Sequence, residues 1–222
     1  MNRFTSLAVA SAVLCWSGSA RAQDPVKVDP AHYKMVLENA SVRVLKVSLA
    51  AGAKTPMHAH PDTVIVPLTN SKVRFTLADG KSQDSDLAAN SAQYTPAGLH
   101  AGANLGGAGE VIVVEFKGAA PGKAQIPTSR PGLTMNVLAD GARGLAYKTT
   151  ATPDFAEPAG STHEFDQIVI ALGAAQMSLS INGKPARTSW ARGDVQFIGR
   201  GVPHEAKNTG GKPVDFIIIA VR

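Results

Sequence analysis

Six histidines occur in the 222-residue chain, and five of them fall into two sets that repeat along it. The first set is His58, His60 and His100; the second is His163 and His204. His60 and His163 lie 103 residues apart, and His100 and His204 lie 104 apart. Asn104 and Asn208 keep the 104-residue offset. A near-constant offset between rare, chemically loaded residues points to a duplicated unit. The chemistry these residues offer is metal ligation. On a strand, His58 and His60 share one face. His100 follows Pro96-Ala97-Gly98 and can meet them from a neighbouring strand. Three neutral imidazoles suit a divalent transition metal (Fe, Mn, Zn, Ni or Cu) and leave coordination positions open for water or substrate.

The elements that must position these residues read as strands. Val42-Arg43-Val44-Leu45-Lys46-Val47, Val73-Arg74-Phe75-Thr76-Leu77 and Met177-Ser178-Leu179-Ser180-Ile181 alternate apolar and polar residues, as half-buried strands do. Val64-Ile65-Val66 and Ile168-Val169-Ile170 are continuous apolar runs, and each half closes on another, Val111–Phe116 and Phe216–Val221. No stretch carries the period of a long amphipathic helix. Short strands punctuated by turns such as Asp79-Gly80 predict a barrel or sandwich. A Pro/Gly-rich stretch, 118–132, reads as a linker between a first half, 29–117, and a second, 133–222. Asp62-Thr63-Val64-Ile65-Val66 lies against Asp166-Gln167-Ile168-Val169-Ile170 when the halves are overlaid.

This pattern resembles the cupin superfamily, whose first motif runs G-x5-H-x-H-x(3,4)-E-x6-G and second G-x5-P-x-G-x2-H-x3-N. Gly52, His58 and His60 match the first motif. Pro96, Gly98, His100 and Asn104 match the second with one residue fewer before the histidine. In the second half Gly193, Gly201, His204 and Asn208 match the second motif, while only His163 survives from the first and Ser161 replaces the earlier histidine. The resemblance covers nearly all of 23–222. It implies an all-β chain of two tandem double-stranded β-helix (jelly-roll) barrels, a bicupin.

The glutamate that cupins use as fourth ligand is replaced by Thr63 or Val64 in the first half and by Gln167 in the second. Three neutral histidines leave an ion its full charge, which favours hydroxide or an anionic ligand in the open positions. Asp62, two residues from His60, is a candidate carboxylate behind the ligands. Ser161, His163, Gln167 and His204 form a poor metal set and read as a degenerate pocket, either scaffold or polar ligand site. Gly98, Gly201, Asn104 and Asn208 read as turn formers. Tyr94 and Phe197 read as core, Arg74 as a solvated charge and His32 as a surface residue.

Composition narrows the classes. Residues 1–22 read as a secretory signal peptide: Arg3, an apolar run from Phe4 to Trp16, then Ala20-Arg21-Ala22. Its removal would leave a protein exported to the periplasm or outside, with no membrane association. The +5 formal charge falls to +3 without Arg3 and Arg21, which is too mild for nucleic acid. The one cysteine, Cys15, lies in that leader. Two functions follow from these residues. One is a metal-dependent enzyme acting on a small organic substrate, anionic by the charge argument; the resemblance to cupins implies an oxygenase ahead of an isomerase. The other is a non-catalytic binder of a small molecule or of the metal. Any homo-oligomer would form through strand edges or barrel faces, since no coiled coil is present.

Overall fold

The computed structural model describes residues 23–118, 124, 126 and 130–222. The leader read at 1–22 and most of the linker read at 118–132 lie outside the described residues. The described chain is all-β apart from one short helix, α1 (Pro25–Val28), capped by Asp24. No helix among the described residues is long and apolar enough to cross a membrane.

The first nine strands are β1 (Tyr33–Glu38), β2 (Val42–Leu49), β3 (Lys54–His60), β4 (Thr63–Pro67), β5 (Ser71–Leu77), β6 (Ser82–Leu87), β7 (Gln93–Thr95), β8 (Gly98–Asn104) and β9 (Gly109–Phe116). They form a five-stranded sheet, β1-β2-β9-β4-β7, and a four-stranded one, β3-β8-β5-β6. The remaining eight are β10 (Leu133–Asp140), β11 (Gly144–Ala151), β12 (Asp166–Ala171), β13 (Ala175–Ile181), β14 (Lys184–Trp190), β15 (Val195–Ile198), β16 (His204–Asn208) and β17 (Val214–Val221). Their five-stranded sheet, β10-β11-β17-β12-β15, repeats the first in order, and β14-β13-β16 repeats three strands of the second. The missing counterpart is that of β3: the segment before β12 touches β16 only through isolated bridges at Ala156 and Ser161.

The continuous apolar runs have a packing cause. Val64, Val66, Ile112 and Val114 from the first half share one core with Ile168, Ile170, Ile217 and Ile219 from the second. The two five-stranded sheets meet through these residues. Their other faces are also covered: Val47 and Val113 pack in one separate cluster, Phe216 in another. Strands covered on both sides read as unbroken hydrophobic sequence. The contact is close. A Cβ on Gly144 would sit 2.2 Å from the Phe116 ring, and one on Gly141 would sit 2.2 Å from the Tyr94 ring. Ser41 donates to Asp166 across the same boundary at 2.6 Å.

The repeated asparagines do the same work in each half. The Asn104 amide donates to the carbonyls of Leu49, Ala50 and Gly107 at 2.7–3.1 Å, and its oxygen accepts from Gly106 N. Asn208 donates to Ala151, Thr152 and Lys212 and accepts from Gly210 N. Both are buried. Each pins the strand that carries a histidine to the loop after β2 or β11. Alanine at either position would strand several buried backbone groups. Asn104→Ala and Asn208→Ala are expected to lower unfolding free energy by roughly 2–4 kcal/mol each in urea titrations; a loss well under about 1 kcal/mol would contradict this role.

Candidate metal centre

In the first half the three histidines converge. His58 and His100 are directly opposed in the β3–β8 ladder, while His60 opposes Gly98. Ring centroids lie 4.7 Å apart for His58–His100, 4.9 Å for His58–His60 and 5.5 Å for His60–His100. One ligand nitrogen from each lies within 4.8 Å of the others. Small side-chain adjustments would close the three rings on one ion at bond lengths of about 2.0–2.1 Å.

Hydrogen bonds set the tautomers. His58 Nδ1 donates to the Pro56 carbonyl at 2.7 Å, so its Nε2 carries the lone pair. That lone pair accepts from the Tyr33 hydroxyl at 3.0 Å. His60 Nδ1 donates to Glu115 at 2.6 Å and leaves its own Nε2 free. Glu115 is 1% exposed, and the Arg43 guanidinium donates to its other oxygen. Arg43 in turn reaches Asp24, the cap of α1, at 2.9 Å. Burial alone would raise the Glu115 carboxyl, but the hydrogen bonds from His60 and Arg43 hold it below its ordinary value. Burial lowers His58. It also takes His100 down to about 3, helped by the two neighbouring histidines. Burial pushes the Tyr33 phenol above its ordinary range. Burial therefore favours neutral rings at His58 and His100.

Asp62 sits elsewhere than expected. It lies in the turn between β3 and β4, where it accepts from the Tyr94 hydroxyl at 2.6 Å and from Ala97 N at 2.7 Å. Pro61 breaks the strand before it, and the carboxylate is turned towards the loop that leads into His100. Asp166 accepts from Arg200 N at 2.7 Å in the matching place before His204. The carboxylate against His60 is Glu115, which sequence reasoning missed. Its signal was present: a lone acid within the run Val111–Phe116 must be paired if that strand is buried. Tyr94 does reach the shared core, while its hydroxyl adds the bond to Asp62. Arg74 pairs with Asp84 on the surface. His32, read as a surface residue, is half-buried against Asp29.

The second half brings His163 and His204 together, with centroids 4.9 Å apart. Gln167 Nε2 lies 3.4 Å from His204 Nε2. Ser161 does not face this pocket: its hydroxyl donates to Pro158 and its backbone bridges to His204. A carboxylate is present after all, from Glu157. It lies 3.9 Å from His163 and 3.6 Å from His204, and Arg130 donates to it at 2.7 Å. Glu157, His163 and His204 place ligand atoms within 4.8 Å of one another. Nothing in the spacing pointed to Glu157, which sits in an irregular segment. Burial, then the Arg130 charge and His204, lower His163 to about 4.

The cavities differ in size. The first is about 490 Å³ and reaches His60, His100, Tyr33 and Thr55. The second is about 80 Å³.

These shifts give the metal-free protein a defined acid response. Histidines lowered in the fold bind protons more weakly than in the unfolded chain. Stability is then complete above the unfolded value near 6.5 and declines as pH falls towards 4. His163→Gln should remove about one proton from the uptake on unfolding near pH 5, flattening the dependence of stability on pH by about 1.4 kcal/mol per unit. An unchanged slope would contradict burial of a neutral His163. Glu115→Gln should weaken metal binding about 10–100-fold in competition with a chelator, since it loosens the ring that Glu115 orients. Unaltered affinity would show that His60 is held by other contacts.

Solved structures with this fold place the site in context. Salicylate 1,2-dioxygenase of Pseudoaminobacter salicylatoxidans matches with a TM-score of 0.60 at 10% identity, over 82% of this chain and 70% of that one. Oxalate decarboxylase of Bacillus subtilis matches with a TM-score of 0.61 at 15% identity, over 85% and 71%. Another structure of that decarboxylase, concerned with its Mn(II) centres, matches at 0.58 and 14% identity, over 85% and 74%. No protein-family model matches the chain, and no curated protein matches it in sequence. At these identities the likeness is one of fold, and the fold is that of the cupin proteins.

Proposed function

We propose that this chain is an exported two-barrel protein whose first barrel holds a divalent transition metal through His58, His60 and His100. It would act there on a small organic substrate. The observation that carries the reading is the set of bonds behind the rings. Pro56 and Glu115 fix the Nδ1 protons of His58 and His60, which turns both Nε2 lone pairs towards the cluster, His60's without a hydrogen-bond partner and His58's capped by the Tyr33 hydroxyl that an ion would displace. Ring nitrogens anchored in this way are the usual support of a metal site. The donor set of three imidazoles fits Fe, Mn, Zn, Ni or Cu. When bound, the ion would supply a Lewis-acidic centre with open positions.

The chain's own residues do the rest. Glu115 orients His60, and Arg43 keeps Glu115 ionised. Tyr33 stands at His58 with a hydroxyl that can donate to a group entering the site. Because no carboxylate lies among the ligands, an anionic substrate group is favoured. The dioxygenase and decarboxylase that share the fold support an enzyme, with an oxygenase first. A non-catalytic binder is the second reading, favoured by one observation: among the described residues, no aspartate, glutamate or lysine lines the first cavity to serve as acid or base. The two barrels are supported by the repeated strand order, and export by the leader read at 1–22.

Metal analysis of the purified protein tests the reading. About one equivalent of transition metal is expected in the first site, absent from the His58→Ala/His100→Ala double variant while that variant keeps its circular dichroism. Retention of the metal by the variant would move the centre away from these residues.

A further inference from the structure

The two cavities come from the same strand order, β3 apart, yet differ about sixfold in volume, at about 490 and 80 Å³. Two pairs of side chains account for much of this. Leu87 opposes Ser71 where Trp190 opposes Ala175. Val111 opposes Val47 where Phe216 opposes Thr149. Trp190 and Phe216 meet edge to face at 5.2 Å and fill the second interior. In the first, Leu87 and Val111 leave that volume open.

The walls of the open cavity are mostly apolar, with hydroxyls from Thr63 and Ser85 among them. Among the described residues, no lysine, arginine, aspartate or glutamate lines it. Its sides are aliphatic and aromatic, including Ile65, Val73, Phe75 and Val113. Exposed Gln83, Gln93 and Thr95 lie where the edge strands β6 and β7 face solvent, and buried Tyr33 and Thr55 lie at the histidine end. The volume falls in the range of cavities that enclose a drug-sized molecule. A second charge on a ligand would meet no opposite charge in these walls and would be left desolvated.

We infer that the first cavity takes an amphipathic monoanion: an extended apolar body against the β2, β5 and β9 side chains, with a single anionic head at the histidines. This rests on the metal reading for the head alone; the apolar body depends only on the walls. Small dianions are disfavoured.

Calorimetric titration of zinc-loaded protein with acetate, butyrate, hexanoate and octanoate tests it, with adipate as the dianion. Affinity should rise about fourfold per methylene, and adipate should bind more weakly than hexanoate. A flat series, or adipate tighter than hexanoate, would overturn the inference. The 1-alkanols, titrated into metal-free protein, read the walls without the ion. A matching rise along that series upholds the apolar body even if no metal is held, and a flat series overturns it. Leu87→Trp/Val111→Phe, which copies the second interior, should abolish the chain-length dependence while zinc content stays the same. If octanoate still bound more tightly than acetate in a folded variant, the cavity would not be the site.

Discussion

The arrangement depends on one constraint: the two five-stranded sheets must cover each other. Val64, Val66, Ile112 and Val114 are fully buried against Ile168, Ile170, Ile217 and Ile219. Each of these sheets has a second apolar face, so each needs another layer, and the smaller sheets supply it. The space between the large and small sheet of each half then becomes an interior. Histidines carried at one end of the small sheet point into it. Site geometry is thus a consequence of how the halves are buried, and the glycines at 141 and 144 show how little slack the contact allows.

The halves have diverged where chemistry is concerned and stayed alike where the chain must turn. Asn104 and Asn208 make the same set of bonds, and Asp62 and Asp166 hold matching loops. Around the histidines the pairs part. Glu115, paired with Thr63, corresponds to Ala220, paired with Gln167. Tyr33, paired with Val47, corresponds to Met135, paired with Thr149. At these positions the second half has neither a carboxylate nor a phenol. It has instead Glu157 and Arg130, brought in by irregular chain.

Much of this was legible in the sequence because it is periodic. The alternation in Val42–Val47 and Met177–Ile181, and the apolar runs at 64–66, 111–116, 168–170 and 216–221, all became strands. The i, i+2 placement of His58 and His60, with His100 from a neighbouring strand, became one cluster because strand geometry is regular. What was illegible depends on tertiary approach. Glu115 lies 55 residues from His60, and Glu157 reaches His204 from a segment with no ladder of its own. Asp62 was near His60 in sequence, but a turn at Pro61 directs it away. Ser161 aligns with a ligand position, yet its hydroxyl satisfies the Pro158 carbonyl.

The central claim is that His58, His60 and His100 surround one ion. Anomalous X-ray diffraction from crystals of protein purified without chelators, collected at transition-metal absorption edges, tests it most directly. The account predicts one peak about 2.0–2.1 Å from Nε2 of His58, Nε2 of His60 and a ring nitrogen of His100, with the Tyr33 hydroxyl displaced from His58. A peak confined to Glu157, His163 and His204, or a first cluster still closed by the Tyr33–His58 bond in metal-replete protein, would contradict it.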